Sequence, residues 1–294
     1  MKNQEHAPKI TIGVPVYNGA NIIKRALDSL LAQTYENFEL IISDNGSTDL
    51  TSEICLEYTK KDNRIKYIQK NKTVSLISNW IFLVEQTKTE YFMFAPVDDY
   101  WDSKFIEKNL EILESNSNIV GSVSDIKLVG KNISNYYTNP NENNKNNLKL
   151  EIVRPYLGTY EKKIEDILKF NWILNQFSIF RTEELKRSII KKTFASWDFA
   201  LMLKIIKFGD LHVLNDVLMF RDTGGITSTK SEIELMKRQN FGWFGTYFPY
   251  VFYTIWCMKN LGLRIFLKHI SHFIYLNIHT AKKITRELFY KIRK

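Results

Sequence analysis

The chain has 294 residues, 44% hydrophobic and 25% charged, an ordinary balance with room for one large folded domain or a domain plus an appendage. Two cysteines, Cys55 and Cys257, are too few and too far apart for a disulfide framework or a zinc-ligand set, so a reducing compartment is the expectation. The formal net charge is +9, yet from Phe241 to Lys294 nine Lys or Arg face a single acid, Glu287. A nearly neutral body with a basic, aromatic tail argues against a nucleic-acid-binding core and for a partner of the tail. The polar "MKNQEHAPK" start lacks an apolar h-region, so no secretory signal is expected.

Lys9–Asn18, "KITIGVPVYN", is a β-branched run ending at a proline and reads as a buried strand feeding a loop. The next segment places Ile22, Ile23, Ala26, Leu27, Leu30 and Leu31 at helical spacing. "FELIISDNGSTD" reads as a strand, Phe38–Ser43, closed by turn-forming residues, with Asp49 available to cap the helix "TSEICLEYTKK". "RIKYIQ", "LISNWIFLVEQT" and "YFMFA" continue as strand, helix and strand. Such alternation builds a parallel sheet with helices on its faces. Its ligands belong beyond the carboxyl ends of the strands, so "PVYN", "SDNGSTD" and "PVDD" should meet at one edge.

Further on, Lys104–Leu113 reads as a helix and "IVGSVSDIKLVG" as a strand. "KNISNYYTNPNENNKNN" has little to bury and reads as a loop. "EDILKFNWILN" and "FASWDFALMLKIIKFG" have helical spacing. "LHVLNDVLMFRDTGGIT" reads as strand, turn and strand. Phe241–Met258 runs eighteen residues without a charge, the lower limit for a spanning helix, but Gly242, Gly245 and Pro249 interrupt it. Downstream, Leu263, Phe266, Leu267, Ile270 and Ile274 share one helical face opposite Arg264, Lys268, His272, His279 and Lys283, the pattern of an interfacial amphipathic helix.

Taken singly, these loops stay ambiguous. Asp98 and Asp99, after "YFMFAPV", suit either a cap for the next helix or a cation site. Taken together, the segments resemble glycosyltransferase family 2, the inverting GT-A enzymes, from about Ile10 to Trp101 and again near Trp197. "SLLAQTYENFELIISDNGSTD" carries most of the likeness. The resemblance implies a GT-A, Rossmann-like α/β domain over residues 1–230, with a mostly parallel sheet flanked by helices. Residues 231–294 then form a helical, aromatic and basic extension.

The same resemblance implies roles for particular residues. Pro15, Val16, Tyr17 and Asn18 lie along the nucleoside. Asp44, followed by Asn45, accepts a hydrogen bond from the base, normally uracil, and Asn79 flanks the nucleotide. Asp98 contacts the donor through Mg²⁺ or Mn²⁺, with Asp99 beside it. The cation offsets charge growing on the leaving diphosphate, and hard cations take oxygen ligands. Asp198, at the head of a helix, is the general base that takes the proton of the acceptor hydroxyl.

Two departures from the family pattern stand out. Pro96 occupies the position of the first aspartate of Asp-x-Asp and has no ligand atom. "FRDTGGIT" lacks the histidine that many relatives place near Thr223; it reads either as a Gly-Gly turn or as a substitute site, with Asp222 or Thr223 standing in and Arg221 on the phosphate. Trp101 and Trp172 suit either sugar stacking or core packing. His212 and Glu90 read as structural and solvated.

The expected function is transfer of a hexosyl or N-acetylhexosaminyl group from a nucleotide-diphosphate sugar, a UDP-sugar, to a hydroxyl of a glycan or lipid-linked acceptor. The alternative is a relative that binds nucleotide or glycan without transfer. Residues 241–294 are expected to hold the chain on the anionic cytoplasmic face of the cell membrane, with a transmembrane helix at 241–258 as the competing reading. No nucleic-acid partner is expected.

Overall fold

The computed structural model describes residues 7–130, 148–151, 153–170, 174–223, 231–239 and 241–292. The asparagine-rich segment, Trp172 and the Gly-Gly turn predicted after Thr223 lie outside them.

Strand β1 (Ile10–Val16) and strand β2 (Phe38–Asp44) are buried along their whole length, as runs covered on both faces must be. Their polar members survive inside because each has a partner. The Thr11 hydroxyl donates to Glu39 at 2.7 Å, and the Lys66 ammonium donates to the other Glu39 oxygen at 2.5 Å. Between these strands, helix α1 (Ile23–Leu31) buries Ile23, Ala26, Leu27 and Leu30. Ile22, expected on that face, precedes the first turn and is exposed. Helix α2 (Thr51–Lys61), strand β3 (Ile65–Gln69), helix α3 (Leu76–Gln86) and strand β4 (Tyr91–Phe94) complete the alternation. The Ser75 hydroxyl caps α3 by accepting the Ser78 N–H.

The rest of the chain runs β5 (Tyr100–Trp101), α4 (Phe105–Ser115), β6 (Ile119–Val129), β7 (Leu148–Glu151), α5 (Tyr160–Phe170), a 3₁₀ turn (Asn175–Phe177), β8 (Ile179–Arg181), α6 (Thr182–Ser188), α7 (Trp197–Ile205) and β9 (Asp210–Asp222). Five helices follow: α8 (Glu232–Arg238), α9 (Gly242–Tyr247), α10 (Val251–Asn260), α11 (Leu263–Lys268) and α12 (Ile270–Ile292).

The sheet has the order β3-β2-β1-β4-β8-β6-β9-β5, with β7 paired to β6. β1 runs parallel to β2 and β4, and β2 to β3. The second half adds antiparallel pairs, since β8 runs against both β4 and β6, while β9 is parallel to β6. Two reversals restore direction, so β9 ends at the same edge as β1, β2 and β4. Chain direction across the sheet reverses between β1 and β4, where open α/β sheets hold ligands.

Side chains of β4 alternate between two cores. Tyr91 and Met93 pack with α1, α2 and α4, while Phe92 and Phe94 pack with α3, α5, α6 and α7. The second core also takes in Tyr253 and Cys257 of α10, Phe266 of α11 and Phe273 of α12. The C-terminal helices are therefore packed onto the sheet domain.

Three expectations need correction. The predicted strand–turn–strand at 211–227 is, over its described part to Asp222, one strand, because β6 supports it. The register steps from Ser124↔Leu214 to Asp125↔Val217, extruding Asn215 and Asp216 as a bulge, and the Asp216 carboxylate pairs with Lys108 at 2.6 Å. The uncharged run at 241–258 is two helices divided at Phe248–Tyr250 around Pro249. Among the described residues, no helix is long and apolar enough to cross a membrane. The amphipathic helix is likewise split at His269. Phe266 turns inward onto Phe273, with ring centroids 4.9 Å apart, while Leu263, Leu267, Ile270 and Ile274 stay exposed.

Candidate active site

The three loops predicted to converge do so. Val16 pairs with Asp44 at the ends of β1 and β2, and the Ala95 N–H donates to the Gly13 carbonyl at 2.8 Å. The β2 loop is a tight turn. The Asp44 carboxylate accepts the Ser47 N–H at 2.8 Å, and Gly46 takes φ +78°, a conformation that glycine adopts without a Cβ penalty. Asn18, with φ +49°, bridges the two loops. Its N–H donates to the Ser47 hydroxyl and its side-chain oxygen accepts the Thr48 N–H, both at 2.9 Å. Asp49 accepts the N–H groups of Ala20 and Thr51, so it fastens the β1 loop as well as the head of α2.

The predicted nucleotide-binding residues divide into two groups. Tyr17, 52% exposed, and Asn18 face solvent at the strand ends. Pro15 and Val16 are buried beneath them. Asp44 is 0% exposed, and its second oxygen accepts the Tyr67 hydroxyl at 2.7 Å. Asn45 exchanges hydrogen bonds with the Val74 backbone at 2.8 and 2.9 Å. Asn79 accepts the Ser43 hydroxyl at 2.6 Å and donates to the Ser43 carbonyl at 3.0 Å. In this arrangement Asp44, Asn45 and Asn79 bind their own chain and hold the loop in place.

The aspartate pair is similarly divided. Asp99 is 1% exposed and accepts the Asp222 N–H at 3.2 Å. Burial pushes its carboxyl well above the ordinary carboxylate value, and Asp98 adds to the shift. Asp98 is half-buried. Burial also holds its carboxyl above the ordinary 3.8; Asp222 acts in the same direction, while Arg221 and Arg25 oppose. The loop is closed by strand β5, where Tyr100 pairs with Phe220. Their rings stack at 4.8 Å and 5°. Trp101 is only 4% exposed and sits in the first core, which settles it as a packing residue.

Asp198 lies in the first turn of α7, behind Ser196, whose φ is +61°. A non-glycine residue held there is strained, and such strain concentrates at functional sites. Asp198 is half-buried, and its carboxylate accepts the Phe199 N–H at 3.0 Å. Burial raises its pKa, against the pull of Arg221. Arg221, on β9, thus acts electrostatically on Asp98, Asp99 and Asp198 alike, and its guanidinium lies over the Phe177 ring at 5.3 Å.

Sequence reasoning missed Arg25. From α1 it donates to the Asp98 carbonyl at 2.7 Å and to the Asp222 carboxylate at 3.0 Å, and it lies 4.8 Å from the Tyr100 ring centroid. Its only sequence signal was a basic residue on the polar side of an amphipathic helix. Tyr67 was missed because its hydroxyl meets Asp44 only across the β2–β3 pairing. Among the described residues, no three His, Cys, Asp or Glu side chains close around a common point. Asp98 and Asp222 are hard oxygen donors, which suits Mg²⁺ or Mn²⁺ held by one or two carboxylates and otherwise by water and phosphate.

Comparison with known proteins bears on the family and the fold. Residues 11–202 match the description of Glycosyl transferase family 2. Glycosyltransferase GlyA of Streptococcus pneumoniae is 39% identical over 100 residues, covering 34% of this chain and 14% of that protein. Putative glycosyltransferase EpsH of Bacillus subtilis is 33% identical over 114 residues, covering 38% of this chain and 33% of its own. The chain thus spans well under two-thirds of these relatives. Among solved structures, S. aureus TarS 1-349 in complex with UDP-GlcNAc gives a TM-score of 0.59 at 17% identity, covering 92% of this chain and 81% of TarS 1-349. The mannosyltransferase PcManGT from Pyrobaculum calidifontis, in complex with GDP-Man and Mn²⁺, gives 0.57 at 14% identity, covering 98% and 76%. At these identities the structural likeness speaks for the GT-A fold. With more than half of its length matched by the family description, this chain is a member of glycosyl transferase family 2.

Proposed function

We propose that the protein transfers a sugar from a nucleotide-diphosphate sugar, a UDP-sugar, to an acceptor hydroxyl with inversion at the anomeric carbon. The observation that carries this reading is Arg221 within electrostatic reach of both Asp98 and Asp198. In this reading Asp98 is assigned to the cation and Asp198 to the acceptor proton, and both feel the charge of Arg221 on β9. Family membership and the nucleotide-sugar complexes of its structural neighbours support the donor class.

In this reading Tyr17 and Asn18 border the nucleoside, on a loop braced by Asp44, Asn45 and Asn79. Asp98 would hold Mg²⁺ or Mn²⁺, with Asp222, whose charge reaches it, as a second carboxylate. Such a cation offsets charge on the departing diphosphate. Arg221 and Arg25 supply fixed positive charge at the same edge, already oriented before reaction. Asp198 takes the acceptor proton as its oxygen attacks the anomeric carbon, opposite the departing diphosphate, in one displacement through an oxocarbenium-like state. A carboxyl with a raised pKa is a better match for this role near neutral pH than an ordinary one.

A panel of UDP- and GDP-sugars, with and without Mn²⁺, read by release of nucleoside diphosphate, tests the proposal. Asp98→Ala and Asp198→Asn should each abolish release, and near-normal turnover in either variant refutes that residue's role. A second reading, binding without transfer, draws on Pro96 and on the inward commitment of Asp99. Nucleotide-sugar binding with no release under any condition would favour it.

The extension is proposed to rest on an anionic membrane surface, the cytoplasmic face of the cell membrane. Support comes from its charge and from the exposed Trp243, Leu263, Leu267, Ile270 and Ile274. Some of its basic residues are already paired, Lys268 with Glu165 of the body and Lys283 with Glu232 of the extension itself at 3.0 Å. The apolar face must therefore provide much of the attachment. Flotation of the full chain with anionic vesicles at low salt is expected, and a chain that stays at the bottom of the gradient ends the proposal.

A further inference from the structure

Two adjoining cavities lie in the C-terminal extension. The first, of about 220 Å³, is walled largely by Tyr247, Phe248, Tyr250, Val251 and Ile278. Asn277 also lines it, but its amide is already engaged, donating to the Thr254 hydroxyl and the Phe273 carbonyl at 2.8 Å. The second, of about 380 Å³, has Lys237 and Trp243 in its wall and shares Tyr247 with the first. The mostly apolar wall of the first cavity suits a hydrocarbon better than a sugar, while the second offers polar groups beside it.

The first cavity adjoins the chemistry at one side and the exposed apolar face at the other. Helix α10, which begins just after Tyr250, lies on the start of α7. Tyr253 meets the ring of Phe199, the neighbour of Asp198, at 6.5 Å. Tyr250 also feels the Asp198 charge, which adds to burial and to Glu232 in raising the ionisation of its hydroxyl. On the other side, Ile278 continues the exposed line of Leu267, Ile270 and Ile274. An exposed lysine stands in the neighbouring cavity, within a segment that carries nearly the whole net positive charge.

We infer that the acceptor is an amphiphile, with its hydrocarbon chain in the cavity of Tyr247, Tyr250 and Ile278, its anionic linker near Lys237, and its hydroxyl delivered to Asp198. The inference rests on the transfer reading, which makes the bound amphiphile an acceptor; the cavity's binding of a hydrocarbon chain stands apart from it. The chain's path along α12 into the cavity explains why the extension is built into the second core: the surface that meets the lipid and the carboxylate that meets the hydroxyl must keep a fixed relation.

The test uses the full chain and a dodecyl phosphate bearing a terminal photoreactive diazirine. Irradiation should label Tyr247–Val251 and Asn277–Ala281, and unlabelled dodecyl phosphate should compete. Ile278→Asp, at an exposed position that tolerates charge, should cut labelling about tenfold, because a carboxylate opposes an apolar chain. Ala281→Trp, which fills the same cavity from a second exposed site, should do likewise. UDP binding, followed by calorimetry, should stay the same in both. Labelling spread evenly over α11 and α12, or unchanged in both variants, overturns the inference. Loss of UDP binding with cavity labelling intact would instead sink the transferase reading, so the two failures are separable.

Discussion

Replacing Arg25 by Ala removes one guanidinium that ties three distant segments together. It donates to the Asp98 carbonyl at 2.7 Å, pairs with Asp222 at 3.0 Å and lies over Tyr100. The ion pair is partly exposed, with side chains 43% and 26% accessible, so it is worth about 0.5–1 kcal/mol. The ring contact adds about 0.5–1 kcal/mol. The hydrogen bond to the carbonyl adds about 1 kcal/mol, and the three share one side chain, so they do not sum. A loss of about 1–2 kcal/mol is expected, seen as a fall in Tm of roughly 2–5 °C. The effect on turnover should be larger than stability suggests. Asp98, the cation ligand of the proposed mechanism, is carried by the loop that Arg25 holds, and misplacing such a group by about 1 Å costs on the order of a hundredfold. Thermal unfolding and nucleoside diphosphate release, measured against Mn²⁺ concentration, read both effects. Arg25→Lys keeps the charge but loses the fork and should fall between. An Arg25→Ala enzyme with unchanged kcat/KM and unchanged Mn²⁺ half-saturation would refute the reasoning, whatever its Tm.

Three further outcomes follow from the same geometry. Pro96→Asp restores a carboxylate ahead of Asp98 and should lower the Mn²⁺ half-saturation concentration about tenfold or more, since hard cations bind through added oxygen charge; no change would show that position 96 does not face the cation. The acidic limb of kcat should lie above the ordinary carboxylate value of 3.8, because burial raises Asp198, and a limb at or below 3.8 would point to another base. Asp99→Asn keeps an acceptor for the Asp222 N–H while removing a carboxyl whose raised pKa favours the protonated form in the fold. That contribution is fully present below 3.8 and is lost as pH rises through the raised value. The variant should therefore gain Tm over the parent as pH increases, and a gap that shrinks with pH would contradict the sign.

Much of the first half was legible because periodicity reports burial. β1 and β2 are apolar runs buried from end to end, and α1 buries residues at its expected spacing. The turn after β2 was legible because Asn-Gly-Ser leaves the backbone few choices. What stayed hidden was long-range. No local pattern places Arg25 beside Asp222, because the two lie 197 residues apart in the chain. Nothing in "LHVLNDVLMF" announces that β6 will carry it as a single bulged strand rather than as a hairpin. The sequence also invited a uniform reading of Asp44, Asn45 and Asn79 as donor contacts. What the sequence did not show is that all three also brace the loop through hydrogen bonds to their own chain. In the tail, composition revealed charge and aromaticity but not that Phe266 and Phe273 would fasten the helices onto the second core.

The closure of the aspartate loop bears on the order in which the molecule assembles. Asp99 receives the Asp222 N–H across a separation of 123 residues, and Tyr100 finds its strand partner only in Phe220. Contacts this distant form late, since the intervening chain must first be ordered. During synthesis or refolding, β1 to β4 and their helices can reach native packing while the Asp98 segment still lacks its second wall. Donor affinity should then lag behind secondary structure in a refolding time course. On the proposed transfer reading, the nascent chain would not engage its donor until the strand bearing Arg221 had joined the sheet.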